Sequence, residues 1–319
     1  MLDIISVGPG EAVLLTDDAK QAIDRADAVW CAARHAVLVP PEKARPLSPL
    51  EGAIEQMRLS SDAGQSAAVL VSGDAGLYSL LEMLKRKIGG EYLRVHPGVS
   101  ALQLFAARLG VSWQNAKILS AHGRALSESA LCHAVRTHRQ TFCFLDAAHN
   151  PAWVRESLNL GGLENVRLFV GERLSYPDER TEAYDPDATY DPLCMAYIEN
   201  GAPESGLPPV GLSDEAFIRG KTPMTKRDVR ALVVSALHLK PNGVVWDIGA
   251  GTGSVSVECA RQCPLGEVYA VEMKDEALDL IRRNAERFHA LNLRVVPGRA
   301  LEVLSALPAP DAVFLGGTT

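Results

Sequence analysis

Two glycine-rich segments of different design stand far apart in this chain of 319 residues. The first is Val7-Gly8-Pro9-Gly10, and the second is Asp247-Ile248-Gly249-Ala250-Gly251-Thr252-Gly253. Each follows an apolar, β-branched run that is typical of a buried strand, and a helical pattern follows each of them. Glycine allows a backbone to turn tightly and to approach a ligand closely. The chain is therefore predicted to contain two α/β domains, each with a ligand-binding loop at the end of a strand.

Composition sets limits on the partners of this chain. Hydrophobic residues make up 47% and charged residues 22%, which is ordinary for a globular protein. The net charge of −7 does not favour binding to nucleic acid or to an anionic membrane. No apolar stretch reaches the ~18 residues of a membrane span, and the N-terminus has no signal-peptide pattern. The six cysteines are scattered, so we expect a cytoplasmic protein with reduced thiols and no metal site.

The order of strand and helix patterns predicts where the two domains meet. Apolar strand patterns alternate with helical ones through the first 200 residues, which indicates largely parallel α/β sheets. The stretch 200–212 is rich in glycine and proline, a composition typical of a linker. We predict domains at residues 1–204 and 217–319, joined by a linker at 205–216.

The second glycine loop has the spacing G-x-G-x-G, unlike the G-x-G-x-x-G of dinucleotide sites. Glu272 follows Gly251 by 21 residues and ends the next apolar run, where an acid can accept hydrogen bonds from ribose hydroxyls. Asp247 stands two residues before the first glycine and suits a positively charged ligand. S-adenosylmethionine carries a sulfonium and an ammonium group, so we predict that this loop binds S-adenosylmethionine.

This region resembles the class I methyltransferases, and in particular the decarboxylating methyltransferases of the cobalamin pathway. The resemblance rests on the segments 222–230, 245–253, 297–300 and 311–317. It implies a Rossmann-like domain that binds S-adenosylmethionine. The cofactor contacts that it implies are Thr225, Gly249, Ala250, Gly251, Thr252, Gly253, Glu272 and Ala300.

The same resemblance implies more sheet than the chain provides. A class I methyltransferase has seven strands, and only about 100 residues follow Phe217. We therefore expect a C-terminally truncated domain that lacks part of its sheet and of its substrate wall, and that binds the cofactor poorly.

Three further segments that are rich in small residues, at 72–77, 97–101 and 120–124, strengthen the interpretation of the first glycine loop as a ligand-binding loop. Loops at the ends of neighbouring strands can meet at one sheet edge and offer backbone groups to a ligand. This set resembles the class III tetrapyrrole methylases over roughly residues 2–200, although many members have proline where this chain has Ala75. Gly171–Pro177 is similar to the branch that acts on precorrin-6Y or cobalt-precorrin-7.

The class III resemblance implies two α/β subdomains with the cofactor folded between them and held mostly by main chain. It also implies a homodimer formed through the N-terminal domain. The implied cofactor contacts are Pro9, Gly73, Asp74, Leu77, Ser100, Ala101 and Leu145.

Methyl transfer from a sulfonium needs positioning more than a catalytic dyad, because the electrophile is already activated. Asp74 is a candidate for steering the cofactor or taking a proton, and capping a turn is an equal alternative. His122 and Arg124 are candidates for contacting a substrate carboxylate, and for His122 a structural turn is equally compatible. A basic run with the same two interpretations, carboxylate binding or a solvated helix face, comprises Arg219, Lys221, Lys226, Arg227 and Arg230.

The whole chain resembles the decarboxylating precorrin-6Y methyltransferases, in which the two domains are fused. The resemblance implies methylation of a corrin precursor at carbon 5 by the N-terminal domain. It also implies methylation at carbon 15 and decarboxylation of the ring C acetate by the C-terminal domain, with one S-adenosylmethionine site in each domain. Two alternatives remain open: a methyltransferase of RNA or protein, which the acidic composition disfavours, and a carrier that binds a tetrapyrrole without catalysis.

Overall fold

The computed structural model describes residues 1–316, and these residues form two compact units. The first unit comprises residues 1–116, 142–151 and 169–197. The second comprises residues 117–141 and 152–168 together with the described residues from Ile198 onward.

The first unit is built on a parallel five-stranded sheet with the order β3-β2-β4-β1-β5. Its strands are β1 (Leu2–Ser6), β2 (Ala28–Cys31), β3 (Ala44–Pro46), β4 (Ala67–Val71) and β5 (Leu93–His96). Its helices are α1 (Asp17–Arg25), α2 (Leu50–Asp62), α3 (Leu81–Ile88) and α4 (Ala101–Leu109). Alternate residues of β1 enter different core clusters, Ile4 one and Ile5 the other, so both faces of the sheet are covered.

A second five-stranded sheet has the order β6-β7-β10-β8-β9. Its strands are β6 (Lys117–Ser120), β7 (Gln140–Phe144), β8 (Arg167–Glu172), β9 (Arg180–Ala183) and β10 (Cys194–Glu199). The helices α5 (Glu128–Thr137) and α6 (Pro151–Leu160) accompany them. β9 is antiparallel to β8 and lies in a segment that is rich in aspartate and proline, where an edge strand or a loop is the expected structure.

The C-terminal part of the second unit is a parallel four-stranded sheet with the order β13-β12-β11-β14. Its strands are β11 (Val244–Ile248), β12 (Glu267–Glu272), β13 (Leu293–Pro297) and β14 (Ala312–Leu315). Its helices are α7 (Arg227–Ala236), α8 (Ser254–Gln262), α9 (Asp275–Arg287) and the short α10 (Ala300–Val303). The predicted α/β class is confirmed for both parts of the chain. Within residues 1–316, none of the helices combines the length and the apolarity that crossing a membrane requires.

Candidate cofactor sites

In the first unit, the loop after β1 and the loop after β4 are joined backbone to backbone. Gly8 and Gly73 form an antiparallel bridge, in which the Gly73 N–H donates to the Gly8 carbonyl at 2.7 Å and the Gly8 N–H donates back at 3.2 Å. Both glycines have a φ of 68°, in the left-handed region that favours glycine. The two loops that the sequence singles out therefore form one structure.

The loop after β5 joins the same structure through the Asp74 carboxylate. The Gly76 N–H donates to Oδ1 of Asp74 at 2.8 Å, and the Gly98 N–H donates to Oδ2 at 3.2 Å. Gly98 also lies against β1, since a Cβ atom there would be 2.7 Å from the Cβ atom of Ser6. Asp74 therefore links two loops, which agrees with the turn-capping interpretation; a role in steering the cofactor or taking a proton stays a prediction.

The other predicted contacts of the first site lie on or beside these loops. Ser100 caps α4 by accepting a hydrogen bond from the Gln103 N–H at 3.1 Å, and Ala101 is the first residue of that helix. Pro9 lies between the two glycines of the first loop, and Leu77 closes the Asp74 turn with a 3.1 Å backbone hydrogen bond. Leu145 follows β7 in the same unit and is buried.

His122 and Arg124 lie in a turn after β6, which belongs to the second compact unit. Both side chains are exposed, and the turn is closed by the Arg124 N–H, which donates to the Ala121 carbonyl at 3.2 Å. The three connected loops belong to the first unit. The roles of His122 and Arg124 stay predictions.

One polar cluster beside the first site was not singled out from the sequence. Arg34 donates from Nη2 to the Ser72 hydroxyl at 2.6 Å and from Nε to His35 Nε2 at 3.2 Å. His35 is 1% exposed, and its Nε2 is also 2.8 Å from the Ser72 hydroxyl. Burial, with a smaller contribution from the Arg34 charge, lowers the pKa of His35 to about 4, so the ring is neutral at pH 7. The signal in the sequence was an Arg-His pair soon after a buried strand.

In the second unit, the glycine loop after β11 has the conformation that only glycine adopts readily. Gly249, Gly251 and Gly253 have φ values of 75°, 58° and 74°. The N–H groups of Gly249 and Ala250 both donate to the Val271 carbonyl, at 2.9 and 3.1 Å, which ties the loop to β12. Gly251 lies close to a second segment, since a Cβ atom there would be 3.2 Å from the Pro223 carbonyl oxygen.

Glu272 ends β12 and contacts the glycine loop directly. Its Oε2 accepts the Gly251 N–H at 3.0 Å, while its Oε1 accepts the N–H groups of Met273 at 2.8 Å and Lys274 at 3.1 Å. A carboxylate has about four acceptor positions, so three hydrogen bonds leave room for a further donor. The side chain is only half-buried, which suits an acceptor for ribose hydroxyls.

Asp247 is buried at the end of β11, behind the glycine loop. Its Oδ2 accepts a hydrogen bond from the Ser256 hydroxyl, and its Oδ1 has no hydrogen-bond partner among the described residues. Burial raises the pKa of Asp247 to about 6, against the opposing effect of the Ser256 hydrogen bonds. A nearby cation would favour the ionised carboxylate, which fits the predicted sulfonium ligand.

Asn284 of α9 binds the glycine loop through the Thr252 carbonyl. No pattern in the sequence singles it out as a site residue. Its Nδ2 donates to the carbonyls of Thr252 at 2.9 Å and Ile218 at 3.0 Å, and its Oδ1 accepts the Ile218 N–H at 2.8 Å. The side chain is fully buried. Such a residue resembles any other polar position of an amphipathic helix until the fold brings these partners to it.

Arg230 corrects the expectation for the basic run. This side chain is fully buried and donates from Nε to Oε1 of Glu258 at 2.7 Å and from Nη1 to Oδ1 of Asp214 at 3.2 Å. It also donates to the Thr225 carbonyl at 2.7 Å and lies 4.6 Å from the centre of the Phe217 ring. Arg230 is therefore an internal ion-pair residue and is not accessible to a substrate carboxylate, whereas Arg219, Lys221, Lys226 and Arg227 are exposed.

The last two predicted contacts of the second site, Thr225 and Ala300, lie in segments that are hydrogen-bonded to the residues described above. Thr225 precedes α7, and its carbonyl is held by Arg230. Ala300 begins α10 just after Gly298, whose N–H donates to the Glu272 carbonyl at 2.9 Å. The structure thus brings the glycine loop and Glu272 into direct contact. We call residues 249–253, Glu272 and the attached segments of Thr225 and Ala300 the loop framework of the second unit.

The cysteines and the acidic residues form no metal centre in the part of the chain that the structure describes. All six cysteines are buried, and none of them is in a disulfide. Burial raises the pKa values of Cys132 and Cys194 to about 12 and that of Cys263 to about 11, so these thiols are protonated at neutral pH.

Each half of the chain matches a known family of methyltransferases. The family model for tetrapyrrole (corrin/porphyrin) methylases matches residues 1–185, and the model for the precorrin methyltransferase domain matches residues 215–319. A precorrin-6Y C(5,15)-methyltransferase (decarboxylating) from a Sinorhizobium species is 33% identical over 99% of this chain and 78% of its own length.

Two further similarities concern parts of the chain. A probable cobalt-precorrin-6B C(15)-methyltransferase (decarboxylating) from Pyrobaculum calidifontis is 49% identical over 110 residues, which are 34% of this chain and 56% of that relative. The crystal structure of a Thermus thermophilus uroporphyrin-III C-methyltransferase covers 62% of this chain and 96% of that one, with a TM-score of 0.51 and 18% identity. This last likeness supports the fold alone.

The similarity to the Sinorhizobium protein extends over nearly the whole chain, and the tetrapyrrole methylase model covers more than half of it. The chain therefore belongs to the tetrapyrrole methylase family, in its branch of decarboxylating precorrin-6Y C(5,15)-methyltransferases.

Proposed function

We propose that this chain methylates precorrin-6Y at carbons 5 and 15 and removes carbon dioxide from the ring C acetate. The observation that carries the proposal is the 33% identity to the Sinorhizobium enzyme over 99% of the chain. The three connected loops at Gly8, Gly73 and Gly98 form the loop framework of the first unit. One framework in each compact unit agrees with a protein that performs two methylations.

Each framework is proposed to bind one S-adenosylmethionine, which supplies an activated methyl group. In the first unit the cofactor contacts are Pro9, Gly73, Asp74, Leu77, Ser100, Ala101 and Leu145. In the second unit they are Thr225, Ala300, Glu272 and the loop residues 249–253. The fit rests on the positive φ angles of the glycines in both frameworks and on the acceptor capacity left on Glu272.

We infer which domain performs which methylation from the similarity to the Pyrobaculum protein. The cobalt-precorrin-6B C(15)-methyltransferase of Pyrobaculum matches over 110 residues, a length close to that of the C-terminal match at residues 215–319. We assign the carbon 15 methylation and the decarboxylation to the C-terminal domain and the carbon 5 methylation to the N-terminal domain.

The contribution of the protein to methyl transfer is positioning. Backbone groups at Gly8, Gly73 and Gly98 hold a rigid edge in the first unit, and Glu272 orients a ligand in the second. The Oδ1 atom of Asp247 has no hydrogen-bond partner among the described residues and is therefore available to a ligand. We propose that the ionised carboxylate faces the sulfonium of the cofactor. No described group needs to form a covalent intermediate for this chemistry.

Incubation of the full chain with precorrin-6Y and S-adenosylmethionine, followed by mass spectrometry, tests the proposal. We expect a product with two added methyl groups and one lost carbon dioxide. Glu272→Gln should retain the first methylation and reduce the second together with the decarboxylation. If wild-type protein binds precorrin-6Y but transfers no methyl group, the carrier interpretation replaces the proposal.

Further parts of the proposal are the predicted boundaries, the assembly and the location. We propose domains at 1–204 and 217–319 with a linker at 205–216, which limited proteolysis tests by cleavage between the two domains. We propose a homodimer formed through the N-terminal domain, tested by sedimentation of residues 1–204 and of the full chain. A cytoplasmic location is supported by the six buried cysteines, none of which is in a disulfide.

A further inference from the structure

We infer that Arg34, held in place by Ser72 and His35, binds a carboxylate of the tetrapyrrole substrate beside the N-terminal cofactor loops. This inference rests on the proposed function, because it assigns a substrate-positioning residue for the same site. Neither Arg34 nor His35 was among the residues predicted from the sequence.

The first argument is the charge of Arg34. No carboxylate of the described residues lies within ion-pair distance of its guanidinium, although 39 acidic residues make the chain acidic. By contrast, Arg108 has Glu179 at 2.5 Å and Arg180 has Glu172 at 2.9 Å in the same unit. Arg34 is exposed and keeps a positive charge that only neutral groups contact.

The second argument is the preorganisation of its side chain. Two of the guanidinium nitrogens are fixed, Nη2 by the Ser72 hydroxyl and Nε by His35 Nε2. His35 must be neutral to accept this hydrogen bond, and its burial keeps it neutral. Nη1 and the free edge of the planar group remain for an anion, and a fixed fork of donors suits a carboxylate.

The third argument is the position of the cluster relative to the cofactor loops. Ser72 immediately precedes Gly73, and the ring carbon Cε1 of His35 lies 3.6 Å from where a Cβ atom of Gly10 would be. The cofactor loops follow β1, β4 and β5, whereas Arg34 follows β2 on the other side of β4. Arg34 is thus beside the predicted cofactor site and outside its set of loops, which favours a carboxylate of the substrate over that of the cofactor.

The surroundings also fit an apolar macrocycle with an anionic rim. A cavity of about 590 Å³ opens at the same sheet edge, and the short turn that carries Arg34 contributes Ala33 and Ala36 to its wall. Leu47, Leu50 and Leu80 add apolar surface there, and Arg45 and Ser48 also line the cavity. An apolar cavity beside an unneutralised arginine is the combination that a tetrapyrrole carboxylic acid needs.

The test compares Arg34→Gln with Arg58→Gln in the full chain. Arg58 is an exposed residue of α2 that pairs with Glu55 at 2.9 Å, so the control makes the same charge change away from the loops. For Arg34→Gln we expect the Kd of precorrin-6Y, measured in the presence of S-adenosylhomocysteine, to rise about 10- to 100-fold. The Kd of S-adenosylmethionine by calorimetry should change less than twofold, and Arg58→Gln should change neither value.

Two further variants separate positioning from structural damage. Arg34→Lys keeps the charge and should recover part of the precorrin-6Y affinity, and Ser72→Ala should raise the KM for precorrin-6Y with kcat nearly unchanged. Unchanged precorrin-6Y affinity in Arg34→Gln would overturn the inference, as would a rise confined to the Kd of S-adenosylmethionine. Failure of the proposed function looks different, because wild-type protein itself would then transfer no methyl group to precorrin-6Y.

Discussion

The two loop frameworks that we propose as cofactor sites are held together by different groups. In the first unit, the loops are joined by a backbone bridge between Gly8 and Gly73 and by the Asp74 carboxylate. In the second unit, backbone hydrogen bonds also tie the glycine loop to β12, and two buried side chains add to them: Asn284 binds the Thr252 carbonyl, and Arg230 binds the Thr225 carbonyl. A loop framework made of backbone needs small residues at the contacts, whereas one made of side chains needs buried polar groups that satisfy each other.

The charges beside the two frameworks differ as well. The first has an unneutralised cation, Arg34, next to its loops. The second has two acids, Asp247 and Glu272, at the ends of neighbouring strands. The first framework also contains an acid, Asp74, so Arg34 is the charge that distinguishes the two frameworks. We propose that Arg34 acts on a molecule other than the cofactor.

The largest expected effect is on the buried ion pair of the second unit. Arg230→Met leaves the buried Glu258 without its cation, and such a change costs about 3–5 kcal/mol. We expect the calorimetric transition of the C-terminal domain to move to a lower temperature while that of the N-terminal domain stays unchanged. Arg227→Met, an exposed neighbour on α7, is the control and should cost under ~1 kcal/mol. Similar losses in both variants would mean that the pair does not support the framework.

The next effect is a pH-dependent gain in stability from Asp247→Asn. The folded pKa of Asp247 is about 6, above its unfolded value of 3.8, so the cofactor-free protein loses stability as the pH rises from about 4 to 6. The amide removes this loss and should stabilise the C-terminal domain by up to about 3 kcal/mol above pH 6. Below pH 4 the two proteins should unfold alike. Denaturant titrations at pH 4 and pH 7.5 check this, and an equal difference at both pH values contradicts it.

In the first unit, the sharpest test is Gly98→Ala. The new methyl group would meet Ser6 at 2.7 Å, and its carbonyl oxygen at 2.9 Å, so the third loop must move away from β1. Overpacking of this kind costs about 1–3 kcal/mol, and we expect at least a tenfold weaker S-adenosylmethionine site in the N-terminal domain. Calorimetric titration should find the other site unchanged. Gly90→Ala, at a position with open space around the Cβ atom and no positive φ, is the packing control.

The smallest expected effect is on the affinity of the second site. Glu272→Gln replaces an acceptor of three backbone N–H groups with one that accepts through a single oxygen, which should weaken S-adenosylmethionine binding about tenfold. The first site should bind as in the wild type. A matching loss at both sites would show that the frameworks are coupled.

Much of the fold and part of the sites follow from local sequence. Strand-glycine-helix patterns predicted the loops at Gly8 and Gly249, and the spacing from Gly251 placed Glu272 at the end of the next strand, where the structure has it. These predictions succeed because strand ends meet at one edge of a parallel sheet, so loop position follows from element order. The 3.0 Å hydrogen bond between the Gly251 N–H and Glu272 was not predicted. Arg230 shows the limit, since its sequence neighbours are exposed bases and its own burial depends on Glu258 and Asp214.

The sequence by itself determined that the chain has two glycine-loop α/β parts of different kinds, because glycine spacing and apolar periodicity are local properties. Only the tertiary structure decided which polar residues hold these glycine loops or lie beside them. Asn284, Arg230 and Arg34 acquire their roles from partners that are distant in sequence. Ile218 is 66 residues from Asn284, Ser72 is 38 from Arg34, and Asp214 is 16 from Arg230. A buried or unneutralised polar group is defined by its surroundings, and those surroundings exist only after the chain has folded.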